Sequence, residues 1–305
     1  MILAAALGAA APAAAATDRG VAANGPVAHL ATTGYEVACA AAAGRCHEVR
    51  VWHTADRGVR RYGRHCFAAT STGSGVAGVA VSQGRALWLT YTGGNIREWS
   101  LWTATRRAPA QRRIRFVARD VDAPPPLVLG GATDEALPYA VDRTVVALRP
   151  NGARIFAWEA PERVTAIEAT GTGYAVVLAG GDVVVLNARG EHVRRHDFAP
   201  GEVRAAVITA SGLLVHLPGR LLVRLHEDRT LPLPPDARLA GFAANVVAYA
   251  SGQELRLLRL RDGRDVQLRR LAPGFHADLH RLGVGYASGS RVSWVVRSRV
   301  LATLG

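Results

Sequence analysis

Lysine is missing from the 305 residues, so the formal net charge of +13 is carried by arginine. A charge of that origin reflects codon usage as much as a selected surface. It predicts low-salt affinity for anionic polymers or membrane surfaces and no specific nucleic-acid site. Cysteine occurs three times, at Cys39, Cys46 and Cys66, with no Cys-x-x-Cys pair or His-x-x-x-His spacing beside them. That excludes a zinc site built on the cysteines. His47, His53 and His65 share one region without a ligand spacing that selects a metal, so they read as surface or packing residues. No cofactor motif is present either, and neither a metal nor a cofactor is expected.

Long apolar runs are equally scarce. Only Met1 to Ala16, almost wholly Ala, Leu, Ile and Gly, is continuously apolar, and it is shorter than the about 20 residues a membrane-spanning helix needs. No transmembrane segment is therefore expected, and the mature chain should be soluble. The run ends in small residues suited to cleavage near Ala16 and Thr17, yet it lacks the basic start of a signal peptide. Residues 1–16 are read as a signal peptide or a disordered Ala-rich leader, with export to the cell envelope or beyond as the expectation. The cysteines agree, because an exported chain pairs what few it has. Cys39 and Cys46 flank the Ala/Gly turn at Ala40 to Arg45 and are the favoured disulfide; Cys46 with Cys66 is the other arrangement. In the favoured arrangement Cys66 is a buried free thiol.

What is abundant is turn chemistry. Gly occurs 32 times and Pro 15 times in a chain that is 49% hydrophobic and 20% charged, a balance that suits many short strands. An imperfect repeat organises them. Tyr139-Ala140, Tyr174-Ala175, Tyr249-Ala250 and Tyr286-Ala287 recur at steps of 35, 75 and 37, and Gly212 to His216 fills the gap left by the long step. Within one copy, Tyr174 to Leu178, the turn Gly180-Gly181-Asp182, Val183 to Leu186, a second turn at Asn187 to Gly190 and His192 to Phe198 give successive strands of a hairpin-connected sheet.

Units of this kind start near Val27, Val76, Pro125, Val164, Val203, Leu239 and Ala277. About seven four-stranded antiparallel sheets of some 40 residues mark an all-β propeller, in which no blade can bury its faces alone. Residues 17–305 are read as one such domain, expected to be a monomer. The competing parallel βαβ arrangement fails, because no stretch of about 10 to 15 residues between strands has helical periodicity. The last unit looks short, with Arg299 to Leu304 left for its outer strand, so ring closure is expected to draw on residues just after the leader.

Four groups of residues are candidates for chemistry. Arg106, Arg107, Arg112, Arg113 and Arg115 place five guanidiniums in ten residues after the aromatic strand holding Trp99 and Trp102. Such a turn can grip phosphates or acidic sugars by forked hydrogen bonds and stacking, although arginines on an outer strand also protect it from edge-to-edge pairing. Ser71 to Gly75 and Thr90 to Asn95, including Tyr91 and Asn95, are small, polar segments that could sit at a mouth of the ring, and plain turns explain them as well. Ser74 lacks a Gly-x-Ser-x-Gly elbow, which excludes it as a nucleophile. Asp120 and Asp122, with Asp134 and Glu135 in the next loop, are the acids that a sugar-cleaving site at the central channel would use.

The repeats, clearest in Tyr174 to Phe198, resemble WD40-like and quinoprotein-like β-propellers, and in particular the exported, Arg- and Ala-rich propeller proteins of bacteria. The resemblance spans nearly the whole chain after the leader. Val51-Trp52-His53 is the nearest approach to the Gly-His and Trp-Asp marks of a WD40 unit, and Gly181 to Asn187 carries the quinoprotein-like likeness. It implies a fold and a binding role, with no catalytic residue and no cofactor carried over. The expected function is an exported, non-enzymatic propeller binding a protein or an anionic envelope polymer through loops on one face. The alternative is a hydrolase or lyase acting on an acidic polysaccharide; a third reading, assembly scaffolding, requires a large exposed apolar patch.

Overall fold

The computed structural model describes residues 21–24, 29–38, 45–53, 58–67, 73–209, 212–224, 228–243, 245–280, 283–288 and 291–305. Residues 1–16 lie outside them, as does the proposed cleavage site. The described chain forms seven sheets in sequence order. Blade 1 holds β1 (Val21–Asn24), β2 (His29–Ala38), β3 (Arg45–His53) and β4 (Gly58–Phe67). Blade 2 holds β5 (Gly75–Ser82), β6 (Arg85–Thr92), β7 (Ile96–Thr105) and β8 (Arg112–Asp120). Blade 3 holds β9 (Leu127–Leu129), β10 (Leu137–Val141), β11 (Thr144–Leu148) and β12 (Arg154–Glu159). Blade 4 holds β13 (Val164–Thr170), β14 (Gly173–Leu178), β15 (Val183–Asn187) and β16 (His192–His196). Blade 5 holds β17 (Ala205–Thr209), β18 (Gly212–Leu217), β19 (Arg220–Arg224) and β20 (Asp228–Pro232). Blade 6 holds β21 (Arg238–Ala243), β22 (Val246–Ser251), β23 (Glu254–Arg259) and β24 (Asp265–Arg270). The seventh sheet has three strands, β25 (His276–His280), β26 (Gly283–Ser288) and β27 (Arg291–Val296), followed by the helix α1 (Arg297–Leu304).

Within every sheet the strands pair antiparallel in chain order, as the turn signals require. The tightest of these turns illustrates the local cause. Gly181 between β14 and β15 sits at φ +103°, and a Cβ there would overlap the carbonyl oxygens of Phe198 and Ala199, so only glycine fits.

The second strands explain the tyrosine repeat. Their side chains alternate between two interfaces: Tyr174, Val176 and Leu178 pack toward blade 3, whereas Ala175 and Val177 pack toward blade 5. Both faces are therefore apolar, and the strand shows no polar alternation. Tyr139 wedges against blade 2, Tyr249 against blade 5 and Tyr286 against blade 6, each toward the preceding sheet. Trp88 does the same from blade 2 toward blade 1. In blade 5 the position is taken by Leu213, Val215 and Leu217, which is why that copy lacks a tyrosine. At about 1.5–3 kcal/mol for each buried Val, Leu or Phe side chain, these interfaces are what hold the sheets together.

The first strands line the axis. β1 packs on β5, β5 on β9, β9 on β13, β13 on β17, β21 on β25 and β25 on β1. Val207 of β17 joins Val247 and Leu239 of blade 6 in a shared core, which completes the circuit.

Four expectations need correction. There are six four-stranded blades among the described residues where seven were expected. The segment expected as the seventh sheet's outer strand is the helix α1, whose Val300 and Leu304 are buried against β24, β26 and β27. Closure borrows no N-terminal strand among the described residues: β1 hydrogen-bonds to β2 and only packs against β25 and β26. Cys66 is disulfide-bonded, so it is not the free thiol expected. Strand register sets Cys46 directly opposite it, whereas Cys39, and with it the Cys39–Cys46 pairing, lies outside the described residues.

Candidate functional site

Blade 2 has a long outer pair of strands, β7 and β8, and its outermost strand is exposed along nearly its whole length. The turn from Arg106 to Gln111 folds back over blade 1. Arg106 N donates to Gly84 O at 3.0 Å, Arg60 Nη1 donates to Arg106 O at 3.4 Å, and Arg64 N donates to Gln111 Oε1 at 3.1 Å. Beneath the turn, the Tyr62 hydroxyl donates to Gly84 O at 2.9 Å. Burial pushes that phenol up to about 12, with Arg60 and Arg106 acting in the opposite direction. The result is a basic seam between the outer strands of blades 1 and 2, built from Arg60, Arg64, Arg106, Arg107, Arg112 and Arg113.

Glu48 is nine-tenths buried and already engaged by Arg50 and Arg61. Burial pushes its carboxyl up, but those two guanidiniums outweigh it and hold the group below its usual range. Arg60, Arg107, Arg112 and Arg113 form no ion pair among the described residues, whereas Arg119, further along the same outer strand, pairs with Asp142. Arg113 instead lies over aromatic rings, 4.9 Å from Phe116 and 5.8 Å from Trp102. Trp102 in turn donates through Nε1 to Thr90 Oγ1 at 2.9 Å and packs on His65 at 5.0 Å, while Trp88 Nε1 donates to His65 Nε2 at 2.7 Å. Stacking fixes guanidiniums that would otherwise move freely, so less order is lost when an anion binds.

The structure divides the residues singled out by sequence. Arg106, Arg107, Arg112 and Arg113 gather at one end of blade 2. Arg115 leans the other way, over Tyr139 of blade 3 at 5.6 Å. Trp99 is buried between blades 2 and 3 and is a core residue. Tyr91, on β6 opposite Trp99, packs on it at 5.3 Å and lies under Arg97 at 5.4 Å, whereas Asn95 sits just before the far end of β7. A ten-residue strand spans about 30 Å, so Asn95 and the arginines at the other end cannot share one small ligand. Ser74 does turn work, its Oγ accepting from Gly93 N at 2.8 Å.

Asp120 and Asp122 are not at the channel. Asp120 ends the outermost strand β8 and its Oδ1 accepts from Asp122 N at 3.0 Å, a peripheral turn. Glu135 and Asp134 likewise belong to a turn held by Thr133 Oγ1, which accepts from Glu135 N and Ala136 N. Among the described residues, the carboxylates that do face the axis are Glu168 on β13 and Asp278 on β25. Sequence reasoning passed over both, although an acid in the middle of a first strand, as in Ala166-Ile167-Glu168-Ala169, is a signal in its own right.

Four-stranded antiparallel sheets stacked around an axial cavity define a β-propeller. No family model matches the chain, and no curated protein matches it by sequence. Among solved structures it is similar to a chain of the mitotic checkpoint complex at 10% identity, covering 92% of this chain and 90% of that one with a TM-score of 0.55. It is similar to Sqt1 of Saccharomyces cerevisiae at 12% identity, over 92% of this chain and 96% of that one, with a TM-score of 0.51. PorZ, a bacterial surface component of the type-IX secretion system of Porphyromonas gingivalis, is similar at 12% identity over 72% of this chain and 31% of that one, with a TM-score of 0.50. At these identities the likeness concerns the fold.

Proposed function

We propose that the protein is an exported binding scaffold of the cell envelope that holds an anionic partner, a protein or a polymer, at the basic seam of blades 1 and 2. One observation carries the reading: Arg60, Arg107, Arg112 and Arg113 stand together without carboxylate partners among the described residues, and Arg113 is oriented by Trp102 and Phe116. Uncompensated, stacked guanidiniums favour carboxylate, phosphate or sulfate groups over neutral ligands. The propeller fold suits a scaffold, and the likeness to a bacterial surface component fits the envelope setting that the leader suggests.

The test is retention on immobilised heparin as a function of salt. Neutralising Arg106, Arg107, Arg112 and Arg113 together should reduce the slope of log affinity against log salt by about 3, on the order of one released counterion per lost contact. Replacing Arg143, Arg189 and Arg238, elsewhere on the surface, should change it less. Equal retention of the fourfold variant and the parent would refute the reading.

A further inference from the structure

The propeller leaves a cavity of about 340 Å³ along its axis, bounded by the first strands of blades 2 to 6 and of the seventh sheet. Its wall is unusually small in side chain, with Gly78, Gly130, Gly131, Ala205, Gly241 and Ala277 facing it. Such a volume lies in the range of small-molecule sites. Among the described residues of the wall, Glu168 and Asp278 are the only ionisable ones: β5, β9, β17 and β21 contribute Gly, Ala, Val, Leu and Phe.

Both acids sit in seats made by glycines of the neighbouring sheets. A Cβ on Gly131 would overlap both carboxyl oxygens of Glu168, and a Cβ on Gly241 would come within 2.9 Å of Asp278 Oδ1. The carboxyl groups are thus placed by the backbone around them, in space that any larger wall residue would fill. Withdrawal from water, and then the charge of Asp278, raise Glu168 to about 8, against the opposing hydrogen bond from the Gly131 backbone. Near neutral pH Glu168 therefore holds its proton. Asp278 has further contacts of its own; what matters here is its charge beside Glu168.

A positive ligand can take the place of that proton. We propose that the axial cavity binds a small organic ammonium ion, which Glu168 and Asp278 hold through its N–H groups while its hydrocarbon part packs on Leu129, Val207, Leu239 and Phe242. Two carboxylates in an apolar wall suit an ammonium better than a metal. Calcium takes about 6 to 8 oxygen ligands and magnesium near-octahedral geometry, and no group of three or more His, Cys, Asp or Glu converges among the described residues. The site is separate from the basic seam, so the failure of either reading leaves the other standing.

The experiment is calorimetric titration of the full chain with n-butylammonium chloride, with n-butanol and calcium chloride as controls, in buffers of different ionisation enthalpy. Binding near pH 7 should release about one proton, and affinity should rise about tenfold per pH unit until it levels above about pH 8. Glu168→Gln should abolish the proton release and weaken binding at least tenfold at about pH 9, and Gly131→Ala, which fills the carboxyl's seat, should weaken it comparably. Should either variant fail to fold, the proton release of the unaltered chain decides. Butylammonium without binding heat at any pH, butanol bound as tightly, calcium bound in preference, or a Glu168→Gln protein that still releases the proton would each overturn the proposal.

Discussion

Replacing Glu168 by Gln keeps the shape of the side chain and removes its ionisation, so the stability of the two proteins should diverge with pH. In the folded chain the carboxyl titrates at about 8, against an ordinary value of 4.5. Between those values the folded protein retains a proton that the unfolded chain has released. The stabilisation from this group is therefore complete below about pH 4.5, declines as pH rises, and is gone above about pH 8. The slope is about 1.4 kcal/mol per pH unit, which over the whole interval sets a ceiling of about 5 kcal/mol. The carboxyl also looks onto the open axial cavity, where solvent screens it, and this lowers the expected span to about 2–3 kcal/mol. The glutamine of the variant does not titrate. Urea unfolding followed by tryptophan fluorescence, using the six tryptophans of the chain, measures both proteins across the range. The variant and the parent should be about equally stable near pH 4.5, and the variant more stable by about 2–3 kcal/mol near pH 9. Titrating groups not coupled to Glu168 cancel in the difference, including buried His216, which burial and then Arg204 hold down at about 4. A difference that does not change with pH, or a variant weaker than the parent at high pH, would refute the assignment.

Further outcomes follow from packing and chemistry elsewhere. Gly63→Ala places a Cβ 2.5 Å from Trp88 Cζ2 in the seam of blades 1 and 2, so it should cost about 1–3 kcal/mol by urea unfolding and shift the tryptophan emission. Tyr249→Phe removes the hydroxyl that donates to Asp265 and accepts from Arg256 Nε at 3.1 Å; a loss of about 1–2 kcal/mol is expected, and none would mean that Arg256 alone satisfies Asp265. Peptide mapping without reduction should recover Cys66 linked to Cys46, its neighbour in register, and a Cys66–Cys39 peptide would contradict that pairing. Reducing the bond should destabilise the chain by about 2–4 kcal/mol.

The repeat made the sheets legible because each copy carries its turns at fixed offsets. Predicted unit starts at Val164, Leu239 and Ala277 fall within one residue of the observed first strands, whereas the start near Val27 lies six residues after Val21. Blade 4 was readable strand by strand from Tyr174 onward. The last element was not, for a definite reason: Val300 and Leu304 lie on one side of an α-helix and also on one side of a strand, so periodicity cannot separate the two. The candidate site was only half legible. Clustered arginines in the Arg106 to Arg115 segment are visible as composition, but their partition to different sides of β8 depends on the strand bulge opposite Leu101 and Trp102. Trp99 and Trp102, three residues apart on one strand, point to opposite sides, a parity that already separated them in the sequence. Glu168 was hidden because a channel-facing position and a blade-facing position alternate along the same short strand.

The joint between β1 and the seventh sheet relies on packing, with no strand contributed across it among the described residues. The propeller is in that respect a split washer and not a clasped bracelet. Tension applied to the two ends of the chain would part this joint first, without having to peel a strand from any sheet, and the inter-sheet cores from blade 1 through α1 would remain seated while the circle gaped.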